Sequence, residues 1–131
     1  MAGGTASTAK KGGAAPVYTG NDAEIAQILK RLNKKSPTTK VKSLDDLASA
    51  FTSKPKHDLK DAAAVWAYHS PWLCHFPDTR VRRAASATLT ALVDRSKKVV
   101  SEFAGELIPA LLLMAQDGDR DVHAKAVALE A

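Results

Sequence analysis

Thr39-Lys40-Val41-Lys42, Thr79-Arg80-Val81-Arg82 and Arg120-Asp121-Val122-His123 are three versions of one short pattern. In each, a polar or charged run leads to a valine that opens an amphipathic segment. The valines stand 40 and 41 residues apart. A repeat near 40 residues built from helical segments marks a HEAT- or armadillo-like α-solenoid, in which antiparallel helix pairs stack on their neighbours. The expectation is an all-α chain whose first business is to build a surface.

The segments between the valines carry helical spacing. Asn21 or Asp22 can cap a helix, after which Ile25, Ile28, Leu29 and Leu32 share one face. Lys30, Arg31, Lys34 and Lys35 crowd its end, where positive charge complements the helix dipole. Ser36-Pro37 restarts the chain, with serine as cap and proline at the first helical position. Val41, Leu44, Leu47, Ala48 and Phe51 then form the expected inward face. Residues 52–57 read as a loop. A third helix over about 58–76 carries Val65, Trp66, Leu73 and Phe76, and Pro71 is expected to kink or break it. Pro77-Asp78 opens a fourth, with Val81, Ala84, Ala85, Thr88, Leu89, Leu92 and Val93 inward and positive charge closing it over 95–98. Another helix is expected over 100–116, with Phe103, Leu107, Leu111 and Met114 inward and Pro109 inside it. Asp117-Gly118-Asp119 is a turn, and Val122, Ala126 and Leu129 begin a last helix. That helix has no following partner to cover it, so a helical domain over 21–131, truncated at its C-terminal end, is expected. Residues 1–20, rich in Gly, Ala, Ser and Thr, read as a disordered tail.

Charge is placed unevenly. Residues 30–60 hold nine Lys/Arg against three Asp/Glu, whereas residues 101–131 hold six acidic against two basic. A basic N-terminal half suits an acidic partner, most plausibly RNA, because Lys and Arg neutralise phosphates; a solvated helical surface is the alternative reading of the same charge. The single Cys74 forms no internal disulfide and suits a reducing compartment. No apolar run reaches the ~20 residues that span a bilayer, so no membrane partner is expected.

Chemistry-bearing patterns are few. There is no G-x-S-x-G, P-loop, H-E-x-x-H or C-x-x-C, so an independent enzyme has no visible constellation. His69, Cys74 and His75 do not make a zinc set, and a structural role is expected for them. Asp117, Asp119 and Asp121 lack the further ligands of a calcium loop. No catalytic residue, cofactor or metal is therefore expected here. Two clusters remain. Lys34, Lys35, Thr38, Thr39, Lys40 and Lys42 surround a helix N-terminus, a plausible anion or phosphate site, with a solvated loop as the alternative. In Asp78-Thr79-Arg80-Val81-Arg82-Arg83, Asp78 and one arginine are expected to form a ladder between repeats, leaving the others, Arg82 and Arg83 among them, as a secondary basic contact.

The run Ile28-Leu29-Lys30-Arg31-Leu32-Asn33-Lys34-Lys35-Ser36-Pro37-Thr38-Thr39-Lys40-Val41-Lys42-Ser43-Leu44 resembles the opening signature of the listerin family. The similarity extends through Trp66, Tyr68, Pro71 and Trp72, the Asp78–Arg82 turn and Leu113–Gln116, over about residues 22–131. It departs from the family pattern at Asn33–Ser36. The resemblance implies the N-terminal part of a cytosolic RING-type E3 ubiquitin ligase of ribosome-associated quality control. It implies docking on the large ribosomal subunit, through rRNA and ribosomal protein, and on the nuclear export mediator factor homologue. A ubiquitin-conjugating enzyme and zinc would belong to a C-terminal RING, for which one cysteine supplies too few ligands. A generic HEAT-repeat scaffold that binds a peptide or protein is the alternative.

Overall fold

The computed structural model describes residues 17–130, and the expected tail over 1–20 lies outside them for residues 1–16. Seven helices and no strand occur among the described residues: α1 (Ala23–Leu32), α2 (Pro37–Ser53), α3 (Lys56–Leu73), α4 (Thr79–Arg95), α5 (Lys97–Glu102), α6 (Ala104–Ala115) and α7 (Arg120–Glu130). α2, α4 and α7 lie side by side in one layer, and α1, α3 and α6 in the other. Short turns join α1 to α2, α3 to α4 and α6 to α7 along one edge, so the repeating unit is a helical hairpin. This is the all-α helical-repeat architecture the spacing predicts.

Local chemistry sets the helix starts. Asp22 accepts from the Glu24 and Ile25 amides at 2.9 and 3.1 Å and caps α1. Ser36 caps α2 through Thr39, Asp78 caps α4 through Arg80, and Asp119 accepts from the Val122 amide at the start of α7. Before α1, the Tyr18 ring packs against the core and its hydroxyl accepts from the Asp22 amide. Gly20 makes that possible, because a β-carbon there would run into the ring.

The core joins both layers: Ile25, Leu44, Leu47, Phe51, Trp66, Leu73, Val81, Leu89, Leu92, Met114 and Val122 are all buried. On α1 and α4 the buried faces are those expected, except that Val93 is half-buried. On α2 the face is rotated. Lys40, Ser43 and Ala50 are buried, while Val41 and Ala48 are only half-buried.

Two boundaries differ from expectation. The loop over 52–57 shrinks to Lys54 and Pro55: the Lys54 amide still bonds to Ala50 O at 2.9 Å, so Thr52 and Ser53 stay helical, with their hydroxyls on the Ala48 and Ser49 carbonyls. Pro71 does not break α3, which runs on to Leu73. Proline leaves the carbonyl four residues back without its amide donor, and the buried Ser70 hydroxyl donates to that carbonyl, Ala67 O, at 2.9 Å. The helix expected over 100–116 is two helices, α5 and α6. Their junction is Phe103, whose amide bonds to Val100 O while its carbonyl takes the Glu106 and Leu107 amides. Lys97 and Lys98 accordingly start α5, behind a Ser96 cap, and do not close α4.

Neighbouring repeats are stitched in parallel register. Thr88 Oγ1 in mid-α4 lies 2.9 Å from Leu44 O in mid-α2. Arg95, the last residue of α4, donates to Phe51 O, Thr52 O and Lys54 O at 3.1, 2.7 and 2.7 Å. The last carbonyls of any helix lack intrahelical donors, and here the neighbouring repeat supplies them. Replacing Arg95 with methionine keeps the apolar stem and removes these charge-assisted bonds. The expected loss is about 2–4 kcal/mol in urea unfolding followed by circular dichroism. Lys97→Met, on an exposed and unbonded side chain, is the control expected to stay near zero.

Candidate functional site

The α1–α2 turn holds the expected basic cluster, and the structure divides it. Lys34, Lys35 and Thr38 are exposed and Thr39 is half-exposed. Lys42 is exposed and lies 3.7 Å from Asp46, which also takes Arg31 at 3.3 Å. Lys40 is not part of this outer set. It is 3% exposed, and its ammonium donates to Leu32 O, the last carbonyl of α1, at 3.0 Å. The same ammonium stands 4.6 Å from the centroid of the Trp72 ring and 5.6 Å from that of Phe76. Burial pulls its pKa below the ordinary lysine value. The reason is register: measured from the Ser36 cap, position 40 faces the first hairpin's interior, and Val41 turns partly away.

The helix N-terminus also offers less to an anion than the sequence suggests. Pro37 has no N–H. The Thr39 amide bonds to Ser36 Oγ and the Lys40 amide to Ser36 O. Only Thr38 N–H is left in that turn, so phosphate binding would rest on Lys34 and Lys35 and not on a backbone cradle.

Lys40 has counterparts. Counted from their caps, Ser36, Asp78 and Asp119, the residues Lys40, Arg82 and His123 occupy the same position. Arg82 donates to Phe76 O and Pro77 O at 3.0 Å each. His123 Nδ1 lies 2.8 Å from Ala115 O, so that nitrogen carries the proton. In the first and last hairpins a side chain from the second helix returns to the last carbonyl of the first, and in the middle one it returns to the turn that follows α3.

The second cluster is corrected likewise. Asp78 pairs locally with Arg80, at 2.9 Å, and makes no ladder. The ladder runs from Arg82 to Asp117 at 2.7 Å and from Arg83 to Asp119 at 2.7 Å, across the repeats. Arg82 and Arg83 are thus engaged within the molecule, Arg83 with its side chain still 55% exposed. Arg83 beside it holds the Asp119 carboxyl down at about 2.

His69, Cys74 and His75 do not converge, and among the described residues no three His, Cys, Asp or Glu side chains are placed to hold a metal ion. Burial, followed by the nearby Asp117 charge, pushes the Cys74 thiol up to about 12, leaving it a protonated core group at neutral pH.

Sequence reasoning missed Trp72, which is 55% exposed although its ring covers Lys40. It lines a groove of about 590 Å³ between α3 and α6 with Tyr68, His69, Pro71, Glu106 and Pro109. The family model described as the N-terminal domain of E3 ubiquitin-protein ligase listerin matches residues 20–130, which includes every described helix. The chain belongs to the listerin N-terminal domain family. A listerin from Drosophila melanogaster, an E3 ubiquitin-protein ligase by its description, is 29% identical over 85 residues. That match covers 65% of this chain and 5% of the fly protein, so the chain spans a small part of the length of this listerin. No solved structure matches the chain. The listerin-like segment therefore includes the braced hairpins, the basic turn and the Trp72 groove alike.

Two outcomes test this electrostatic layout. Lys40→Glu would set a buried carboxylate against Leu32 O and the negative face of Trp72. It is expected to lose about 3 kcal/mol or more in urea unfolding, whereas Lys40→Met, which keeps the stem, loses about 1 kcal/mol. The Asp119 carboxyl, lowered from 3.8 to about 2 in the fold, contributes stability that is present above pH 3.8 and lost as pH falls toward about 2. Acid unfolding of Arg83→Ala should show a weaker dependence in that window than the parent chain.

Proposed function

We propose that this chain acts as the N-terminal docking domain of a listerin-type RING E3 ubiquitin ligase in ribosome-associated quality control. In this reading it seats the ligase on an obstructed large ribosomal subunit in the cytosol, where the complete protein ubiquitinates stalled nascent chains. The observation that carries it is the listerin N-terminal match over residues 20–130. Catalysis would belong to a RING elsewhere in the full-length protein, which would bind zinc and recruit the ubiquitin-conjugating enzyme. One cysteine, itself buried here, cannot furnish the ligands. Among the described residues no helix is long and apolar enough to cross a membrane.

The contact surface we assign is the α1–α2 edge. Lys34 and Lys35 are exposed and have no ion-pair partner among the described residues, and Lys42 is 70% exposed. Thr38 and Thr39 lie between them. Cations so placed suit rRNA phosphates or an acidic protein surface, such as one on a ribosomal protein or on the nuclear export mediator factor homologue. A second reading, a scaffold that grips a peptide without RNA, draws on the apolar groove beside Trp72. Salt separates the two: phosphate contacts weaken steeply as salt rises, and an apolar groove does not.

The triple variant Lys34→Glu/Lys35→Glu/Lys42→Glu is expected to lose co-sedimentation with purified large subunits while keeping its helical circular dichroism. Lys40 is left out because it is buried and reversing it would cost the fold stability. Undiminished co-sedimentation would remove the assignment of this edge.

A further inference from the structure

The groove beside Trp72 has a second one as its neighbour. The first lies between α3 and α6, and the second, of about 250 Å³, lies over α1 and α3 and is lined by Val17, Leu29, Lys30, Asn33 and Val65 among others. His69 lines both, and the two grooves together make up the trough of the α1–α3–α6 layer. Lys30 and Asn33, next in the chain to Lys34 and Lys35, line the second groove, and Trp72 and Glu106 line the first.

Trp72 is held as a platform. Phe76 meets it edge-on, with ring centroids 5.0 Å apart at 87°. The Lys40 ammonium sits over the ring and is itself tied to the last carbonyl of α1. The indole is thereby fixed beside the basic turn, yet it stays 55% exposed to the trough. A large, immobilised, exposed aromatic next to unpaired lysines is the arrangement that binds single-stranded nucleic acid. The bases stack on the ring, and the backbone tracks the cations. Glu106, on the α6 side of the groove, repels phosphate, which orients such a strand with its backbone toward Lys30, Lys34 and Lys35.

We infer that Trp72 is a stacking platform for an unpaired RNA base, whose neighbouring phosphates rest on Lys30, Lys34 and Lys35. This rests on the reading that the domain docks on the large subunit, and it specifies what kind of rRNA is recognised: a loop or bulge with a base splayed out, not a duplex. A duplex keeps its bases stacked inside and would offer the platform nothing.

The test uses a short oligoadenylate and an abasic ribose-phosphate strand of equal length. Trp66 is fully buried, so base-dependent quenching of tryptophan emission reports Trp72. The parent chain should bind oligoadenylate more tightly than the abasic strand, with quenching. Trp72→Ala should weaken oligoadenylate binding about tenfold and erase the preference. Trp72→Phe, which keeps a ring over Lys40, should retain part of it and guards against a variant that fails to fold. Lys34→Glu/Lys35→Glu should weaken both strands alike. Equal affinity of the parent chain for the two strands, or an unchanged preference in Trp72→Ala and Trp72→Phe, would overturn the inference. Loss of large-subunit co-sedimentation by Trp72→Ala without any base preference would overturn it too, assigning the trough to a protein, while the docking reading stands. Retained co-sedimentation by the lysine variant removes the docking edge and leaves the stacking question to the oligonucleotide arms.

Discussion

Every helix ends on carbonyls that its own backbone cannot satisfy, and this molecule is organised around supplying them. The end of α1 receives Lys40, the end of α2 receives Arg95, the turn after α3 receives Arg82, and the end of α6 receives His123. Three of these donors hold the same place in successive hairpins, and the fourth reaches across repeats. Lys40, Arg95 and His123 set a cation or an imidazole at the negative end of a helix dipole, so the contact gains from charge as well as from the hydrogen bond. Apolar burial gives the two layers their cohesion. Arg95 fixes how far one hairpin slides on the next, and the other three fix the pairing of helices inside a hairpin.

The arrangement redistributes the meaning of the positive charge. Lys40 belongs to the basic excess read over residues 30–60, Arg82, Arg83 and Arg95 add to the chain's positive charge, and all four are taken up by partners within the molecule. What remains outward at the α1–α2 edge is smaller and more localised: Lys34, Lys35 and Lys42, with Lys30 lining the neighbouring trough. Net charge therefore overstates the binding surface. A partner meets a compact basic corner with an aromatic ring beside it and not a uniformly basic half.

The helices were legible because their signals are local. Asp22, Ser36-Pro37 and Pro77-Asp78 announce starts by cap chemistry, and the apolar spacing on α1 and α4 names the buried faces almost residue by residue. Register between repeats was less legible. The matched valines align Val41 with Val81, but the caps place Val81 and Val122 three residues into their helices and Val41 five residues into its own. That offset hid the burial of Lys40. A lysine in a hydrophilic run reads as solvated, and only the proximity of Leu32 O and Trp72, remote in sequence or set by the turn, turns it inward. Whether Pro71 would break its helix was open for a related reason: the penalty of a helical proline is real, but it depends on whether a neighbour such as Ser70 can take over the orphaned carbonyl. The Arg82–Asp117 and Arg83–Asp119 pairs join residues some 35 positions apart, beyond any reading of local spacing.

The carbonyl braces of Lys40, Arg82, Arg95 and His123, unlike the Arg–Asp pairs, share one asymmetry. In each, the donor is a particular side chain, but the acceptor is a main-chain carbonyl, which every amino acid possesses. The residue at the receiving end can change freely without loosening the joint, and even the donor has been realised here as lysine, arginine and histidine. Architecture held in this way can outlast the drift of the residues that display it. A solenoid so built can diverge far in sequence while its hairpins keep stacking at the same pitch.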